Sequence, residues 1–158
     1  MSDAHELKER LWKKMTDGPF VMVGLKDGGH SEPLTVQLDK DQVDTLLFFV
    51  ASDNRVVKGG PAMVQFVSKG QDFFACLSGT ISVDNAPALI DKLWTKQAES
   101  WFPGGRSDPN LTLIRFDIAD AELWESDISL AGQFKMLFGG KIRPQDEGSH
   151  ALISNTRV

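Results

Sequence analysis

Apolar residues recur at helical spacing near the start of the chain. Leu7, Leu11, Trp12 and Met15 fall on one face of residues 3–16, with Lys8, Glu9, Lys13 and Lys14 around them. That pattern predicts an amphipathic helix. Asp3 and Glu6 have capping-box spacing, and Asp17-Gly18-Pro19 stops the helix. From Phe20 the period shortens to that of strands. Phe20–Lys26, Ser31–Leu38, Leu46–Ala51, Ala62–Ser68 and Asp72–Val83 read as five strands, with turns at Asp27-Gly28-Gly29 and Lys69-Gly70. Pro33 cannot donate to a ladder, so its strand is an edge or carries a bulge. Ser52–Gly60 is a loop or one short helix.

A second helix is expected over Asn85–Glu99, with Asp84 as N-cap and Pro87 in the first turn. Leu89, Ile90, Leu93, Trp94 and Ala98 form its apolar stripe, and Trp101-Phe102-Pro103-Gly104-Gly105-Arg106 ends it. Leu111–Ile118 and Ala121–Ser126 read as two final strands, with Asp117, Asp120 and Glu122 at a turn between them. Ile128–Phe138 has a helical stripe (Leu130, Phe134, Leu137, Phe138) capped by Gly139-Gly140. This gives one domain over 1–140 and a polar tail over 141–158, expected to dock loosely or stay disordered. Strands in hairpin order with helices between and at the ends predict a mainly β, α+β fold: an antiparallel barrel with peripheral helices. A parallel doubly wound sheet is disfavoured, and neither a dinucleotide fingerprint nor a P-loop is present.

Composition narrows the partners. The 158 residues, 41% hydrophobic, make one domain with a real core. A net charge of -5 argues against nucleic acid as the main partner. The charged N-terminus lacks the apolar segment of a signal peptide, and the run Leu46–Ala51 is too short to span a bilayer, so a cytoplasmic protein without a membrane partner is expected. The single cysteine, Cys76, reads as a small core residue. His5, His30 and His150 have no metal-ligand spacing. Asp39, Asp41 and Asp44 read as a solvated turn.

The densest chemistry follows the third strand. Ser52, Asn54, Arg55 and Lys58 crowd hydroxyl, amide, guanidinium and ammonium groups past an apolar strand end, which is what a phosphate needs. The adjoining strands could wall a planar ligand, so a flat cofactor with a phosphate tail is expected. Other roles stand beside this one. Arg55 could pair with Asp53 or Glu32, Ser52 could cap a helix, and Trp94 and Trp12 fit the core. Trp101 fits an interface, a cofactor edge or simple packing; Trp124 fits core or interface.

The run of strand, Ser52-Asp53-Asn54-Arg55 loop, paired strands ending in Ser78-Gly79-Thr80, helix, Trp101-Phe102-Pro103-Gly104-Gly105 and Asp108-Pro109 resembles the general stress protein 26 group. That group lies within the pyridoxamine 5′-phosphate oxidase-like flavin-binding split barrels. The resemblance spans roughly Glu6 to Ser126. It implies a six-stranded antiparallel split barrel and a homodimer, with FMN, or FAD as the alternative, at the subunit interface. Carried over by position, Pro33, Leu34 and Thr35 flank the flavin ring. Phe49, Val50, Ala51 and Ser52 meet the ring and ribityl chain. Asn54, Arg55 and Lys58 take the phosphate, and Trp101 is offered toward the cleft. Relatives often carry Arg where this chain has Glu32, and Lys where it has Val56; both departures remove positive charge. The ending Lys141-Ile142-Arg143-Pro144 does not resemble that of true pyridoxamine phosphate oxidases. The implied function is flavin binding, either in a flavin-dependent oxidoreductase or in a non-catalytic storage or partner-binding module. A barrel holding haem or a deazaflavin is the third reading.

Overall fold

The structure is a computed structural model that describes residues 4–126 and 148–154. Helix α1 (Ala4–Asp17) buries Leu7, Leu11 and Met15 against the barrel and leaves Trp12 half-buried at its rim. Among the described residues seven strands follow: β1 (Phe20–Leu25), β2 (Glu32–Thr35), β3 (Thr45–Ala51), β4 (Gly60–Val67), β5 (Phe73–Val83), β6 (Leu111–Ser126) and β7 (Gly148–Ser154). All pairings are antiparallel, in the order β2-β1-β4-β5-β6-β3, with β7 added to β6. The two ends of this order, β2 and β3, approach each other at one bridge, where Gln37 N–H donates to Leu47 O over 2.7 Å. The six strands therefore make a nearly closed barrel with one seam: the mainly β split barrel expected.

Two apolar clusters hold it. One fills the barrel and includes Val21, Val23, Leu46, Phe48, Val50, Val64, Phe66, Leu77, Ile81 and Phe116. The other lies outside β3, where Leu47 and Phe49 pack with Ile90, Leu93, Ala98, Phe102, Leu111 and Leu113. Strand β3 thus has an apolar layer on each face, which is why its sequence is continuously apolar rather than alternating. Cys76 departs from the core role expected of it. It is half-buried on the outward side of β5, opposite Gln65 of β4 and Glu122 of β6.

The expected second helix is two helices, α2 (Pro87–Leu93) and α3 (Lys96–Trp101). A residue before proline is disfavoured in the helical region, so Ala86 is extended and α2 starts at Pro87 without an Asp84 cap. Trp94 is extended (φ -62°, ψ 135°), and Thr95 restarts the helix by accepting from Ala98 N–H at 3.1 Å. The two final strands expected are one, β6, which runs through Asp117–Glu122 with a bulge opposite Ser78/Gly79 instead of a turn. A Cβ at Gly79 would sit 2.1 Å from Asp117 O, so only glycine fits this crossing. One edge of β6 is shared, by β3 along Leu111–Asp117 and by β7 along Asp120–Ser126. Within the segment read as tail, Gly148–Ser154 is therefore a paired strand. The expected Asp3 cap and Ile128–Phe138 helix lie outside the described residues.

Asp39 also departs from the solvated role: it is only 3% exposed. Its carboxylate accepts from Lys92 Nζ at 2.7 Å, Asp41 N–H at 3.0 Å and Gln42 Nε2 at 3.1 Å, pinning α2 to the β2–β3 connection. These bonds, Lys92 foremost, hold its pKa below the ordinary carboxylate value despite burial.

Candidate functional site

The seam between β2 and β3 is where the barrel leaves main-chain groups open. Antiparallel residues alternate the side to which N–H and C=O point. Val36 N–H bonds Pro19 O and Gln37 N–H bonds Leu47 O, so odd-numbered residues of both segments face the seam. Continued from the Gln37–Leu47 bridge, the same register would set Thr35 opposite Phe49 and Pro33 opposite Ala51. No ladder forms there. Pro33–Thr35 and Phe49–Ala51 are thus the two lips of the split, with polar backbone groups directed into it.

Side chains on the lips divide by face. Pro33 is exposed on the outer surface opposite Met22, and Thr35 lies opposite Phe20. Leu34 packs against the barrel core. Phe49 and Val50 are buried, 6% and 3% exposed, in the outer and inner clusters respectively. Phe49 meets Trp94 edge-to-face at 5.7 Å between centroids, and the Arg106 guanidinium covers Trp94 at 6.0 Å. A ligand in the seam would meet main-chain groups of Phe49 before its side chain, while Ala51 O already accepts from Asn54 N–H at 2.9 Å.

At the end of β3 the chain enters a 3₁₀ turn, Arg55–Lys58. Ser52 N–H bonds Asn110 O, and its Oγ lies 3.0 Å from Thr112 Oγ1 and 3.1 Å from Pro109 O. Asn54 caps the turn by accepting from Val56 N–H at 2.9 Å. Val56, fully buried, anchors the turn in the core. Gly59 ends it at φ 76°, with Ile81 O 2.9 Å from where a Cβ would stand. In a 3₁₀ turn residues three apart eclipse, so Arg55 and Lys58 leave from the same side. Lys58 is exposed and makes no ion pair or hydrogen bond among the described residues. Arg55 Nη1 donates to His30 O at 3.2 Å, and its Nε lies 3.6 Å from Glu32 Oε2. Glu32 stands opposite Val23, at the outer end of the β2 lip, and its Oε1 is buried with no hydrogen-bond partner.

The fold therefore gathers the residues expected at the two lips and the phosphate turn around one seam. Within that set, Ser52 and Asn54 are committed to local bonds, Arg55 is held by His30 O and Glu32, and Lys58 carries an unpaired charge among the described residues. Trp101, at the end of α3, is 43% exposed and has no described contact with Arg55 or Lys58. The sequence names Glu32 as a competing partner of Arg55 and as a departure from relatives, but not as a member of the site, and it does not mark Thr112. An inward carboxylate beside Pro33 was the available signal for the first. The second, 60 positions from Ser52, had none. Two grooves of about 490 and 400 Å³ lie elsewhere, both bordered by Trp12 and Lys40, the larger also by Lys92 and Leu93. Neither is lined by the lip or turn residues.

Among the described residues no helix is long and apolar enough to cross a membrane. In comparison with known proteins, a general stress family protein from Xanthomonas campestris pv. campestris is 36% identical. It superposes with a TM-score of 0.75 over 82% of this chain and 94% of that one. The general stress FMN/FAD binding protein from Xanthomonas citri is 37% identical, with a TM-score of 0.75 over 80% of this chain and 94% of that one. General stress protein 26 of Bacillus subtilis is 33% identical over 52 residues, which is 33% of this chain and only 36% of that protein. Residues 6–143 match the family described as Pyridoxamine 5'-phosphate oxidase like, and the chain belongs to that family.

Proposed function

We propose that the protein binds a flavin, FMN or alternatively FAD, in the seam between β2 and β3, and that it acts as a homodimeric flavin-dependent oxidoreductase. The observation that carries this reading is the pair Arg55 and Lys58, eclipsed on one turn at the mouth of a seam lined by open main-chain groups. Such a donor set suits a phosphate-tailed planar group. The unpaired N–H and C=O positions of Phe49 and Thr35 suit the alternating donors and acceptors of an isoalloxazine edge. The Xanthomonas citri relative, named as an FMN/FAD binding protein, supports the same reading.

In this reading Arg55 and Lys58 hold the phosphate through charge-assisted hydrogen bonds. Asn54 and Ser52 keep the turn in place rather than grip the ligand. The buried Phe49–Trp94 pair stiffens the β3 lip, so the ring is positioned by rigid backbone. A bound flavin supplies the electron transfer, and the protein supplies orientation and exclusion of water. The second subunit is expected on the outer face of β1, β2 and β4. Phe20, Met22 and Val67 are 63%, 40% and 54% exposed there, beside Pro33. Such a partner would cover one side of the seam and complete the site.

The test is a variant carrying both Arg55→Met and Lys58→Met. Two charge-assisted contacts of roughly 1.5 kcal/mol each predict a loss of FMN affinity of about 100-fold. The melting temperature should scarcely change, because both side chains are on the surface. Unchanged FMN affinity in a folded variant would place the phosphate elsewhere.

A further inference from the structure

We propose that Glu32 sets the charge of the phosphate that this site accepts, disfavouring the dianionic phosphate of a monoester relative to the singly charged phosphates of a diphosphate diester. The inference rests on the flavin reading above and concerns its ligand specificity. Glu32 faces inward at the end of the β2 lip, with Oε2 3.6 Å from Arg55 Nε. Its other oxygen, Oε1, is buried without a donor. Arg55 also donates to His30 O, so the guanidinium is held between a carbonyl and a carboxylate before any ligand arrives.

A phosphate reaching Arg55 must therefore share it with a fixed negative charge. Repulsion scales with the charge brought in and falls with distance. The monoester of FMN carries close to two negative charges at neutral pH, because the second phosphate ionisation lies near pH 6. FAD carries a similar total charge divided between two linked phosphates, so the phosphate in the place of FMN's would bring one charge to Glu32 instead of nearly two. Riboflavin carries none. Glu32 thus penalises FMN most, FAD less and riboflavin least. Lys58, the one unpaired cation of the turn, is the group that offsets the penalty.

The variant Glu32→Gln keeps the shape and removes the charge. Titration of wild type and variant with FMN, FAD and riboflavin at pH 7.5 reads the effect. The charge argument predicts that FMN tightens about tenfold or more, FAD about threefold, and riboflavin by less than about twofold. Comparison of ratios cancels whatever the adenylate of FAD contributes by itself. Equal shifts for all three flavins, or none, would overturn the proposal while leaving flavin binding intact. If neither protein binds any of the three, the flavin reading fails and this inference with it. Glu32→Ala, checked by thermal melting, gives the same comparison should Glu32→Gln fold poorly.

Discussion

The hydroxyls of Ser52 and Thr112 lie 3.0 Å apart, joining the end of β3 to the start of β6. Ser52 Oγ also donates to Pro109 O, and Thr112 is only 5% exposed. A serine that composition marks as a phosphate donor is thus spent on the scaffold. Ser52→Ala should destabilise the fold by about 1 kcal/mol, the usual worth of a lost hydrogen bond with a buried partner. FMN affinity should change by less than about threefold. Urea denaturation and FMN titration of the same variant check both. A large affinity loss at unchanged stability would return Ser52 to the binding set.

The exposed apolar strip on β1 predicts association. Phe20→Glu with Met22→Glu should convert a dimer to monomer in sedimentation velocity and weaken FMN binding in parallel, since burying a carboxylate at an apolar interface is costly. A variant still dimeric at micromolar concentration would move the interface to another face.

Stability should fall in acid through Asp39 and Asp72. Both carboxyl pKa values are lowered, Asp39 chiefly by Lys92 and Asp72 chiefly by Lys14, with Ser68 helping the latter. A lowered folded pKa contributes stability above the unfolded value of about 4, and that contribution is lost as pH drops through the folded pKa. Wild type should therefore lose urea resistance below about pH 4. Asp39→Asn should be less stable at pH 7 with a shallower acid limb. Parallel curves for the two proteins would show that Asp39 contributes nothing to the acid limb.

Much of the barrel was legible because apolar alternation and glycine turns mark β1, β2, β4 and β5 locally. What escaped depends on distant partners. Trp94 sits on the helical stripe, yet it leaves the helix to meet Phe49, 45 positions earlier, so the break between α2 and α3 has no local mark stronger than Thr95. Ala119-Asp120 resembles a turn, but pairing with β5 on one edge and β7 on the other carries β6 straight through. Gly148–Ser154 is short and partly polar, and it becomes a strand only against β6. At the site, the residue types of the Ser52–Lys58 turn were readable. The lips of the seam were not readable from pattern, because the strand order that leaves β2 and β3 unpaired beyond Gln37–Leu47 is a property of the closed barrel.

The most direct measurement is equilibrium titration of FMN with the wild-type protein, followed by quenching of flavin fluorescence. Binding in the seam predicts saturable quenching at one flavin per chain, with Kd of about 1 μM or tighter. FMN and FAD both remaining unquenched at protein concentrations near ~1 mM, where even −4 kcal/mol of binding would register, would contradict flavin binding altogether.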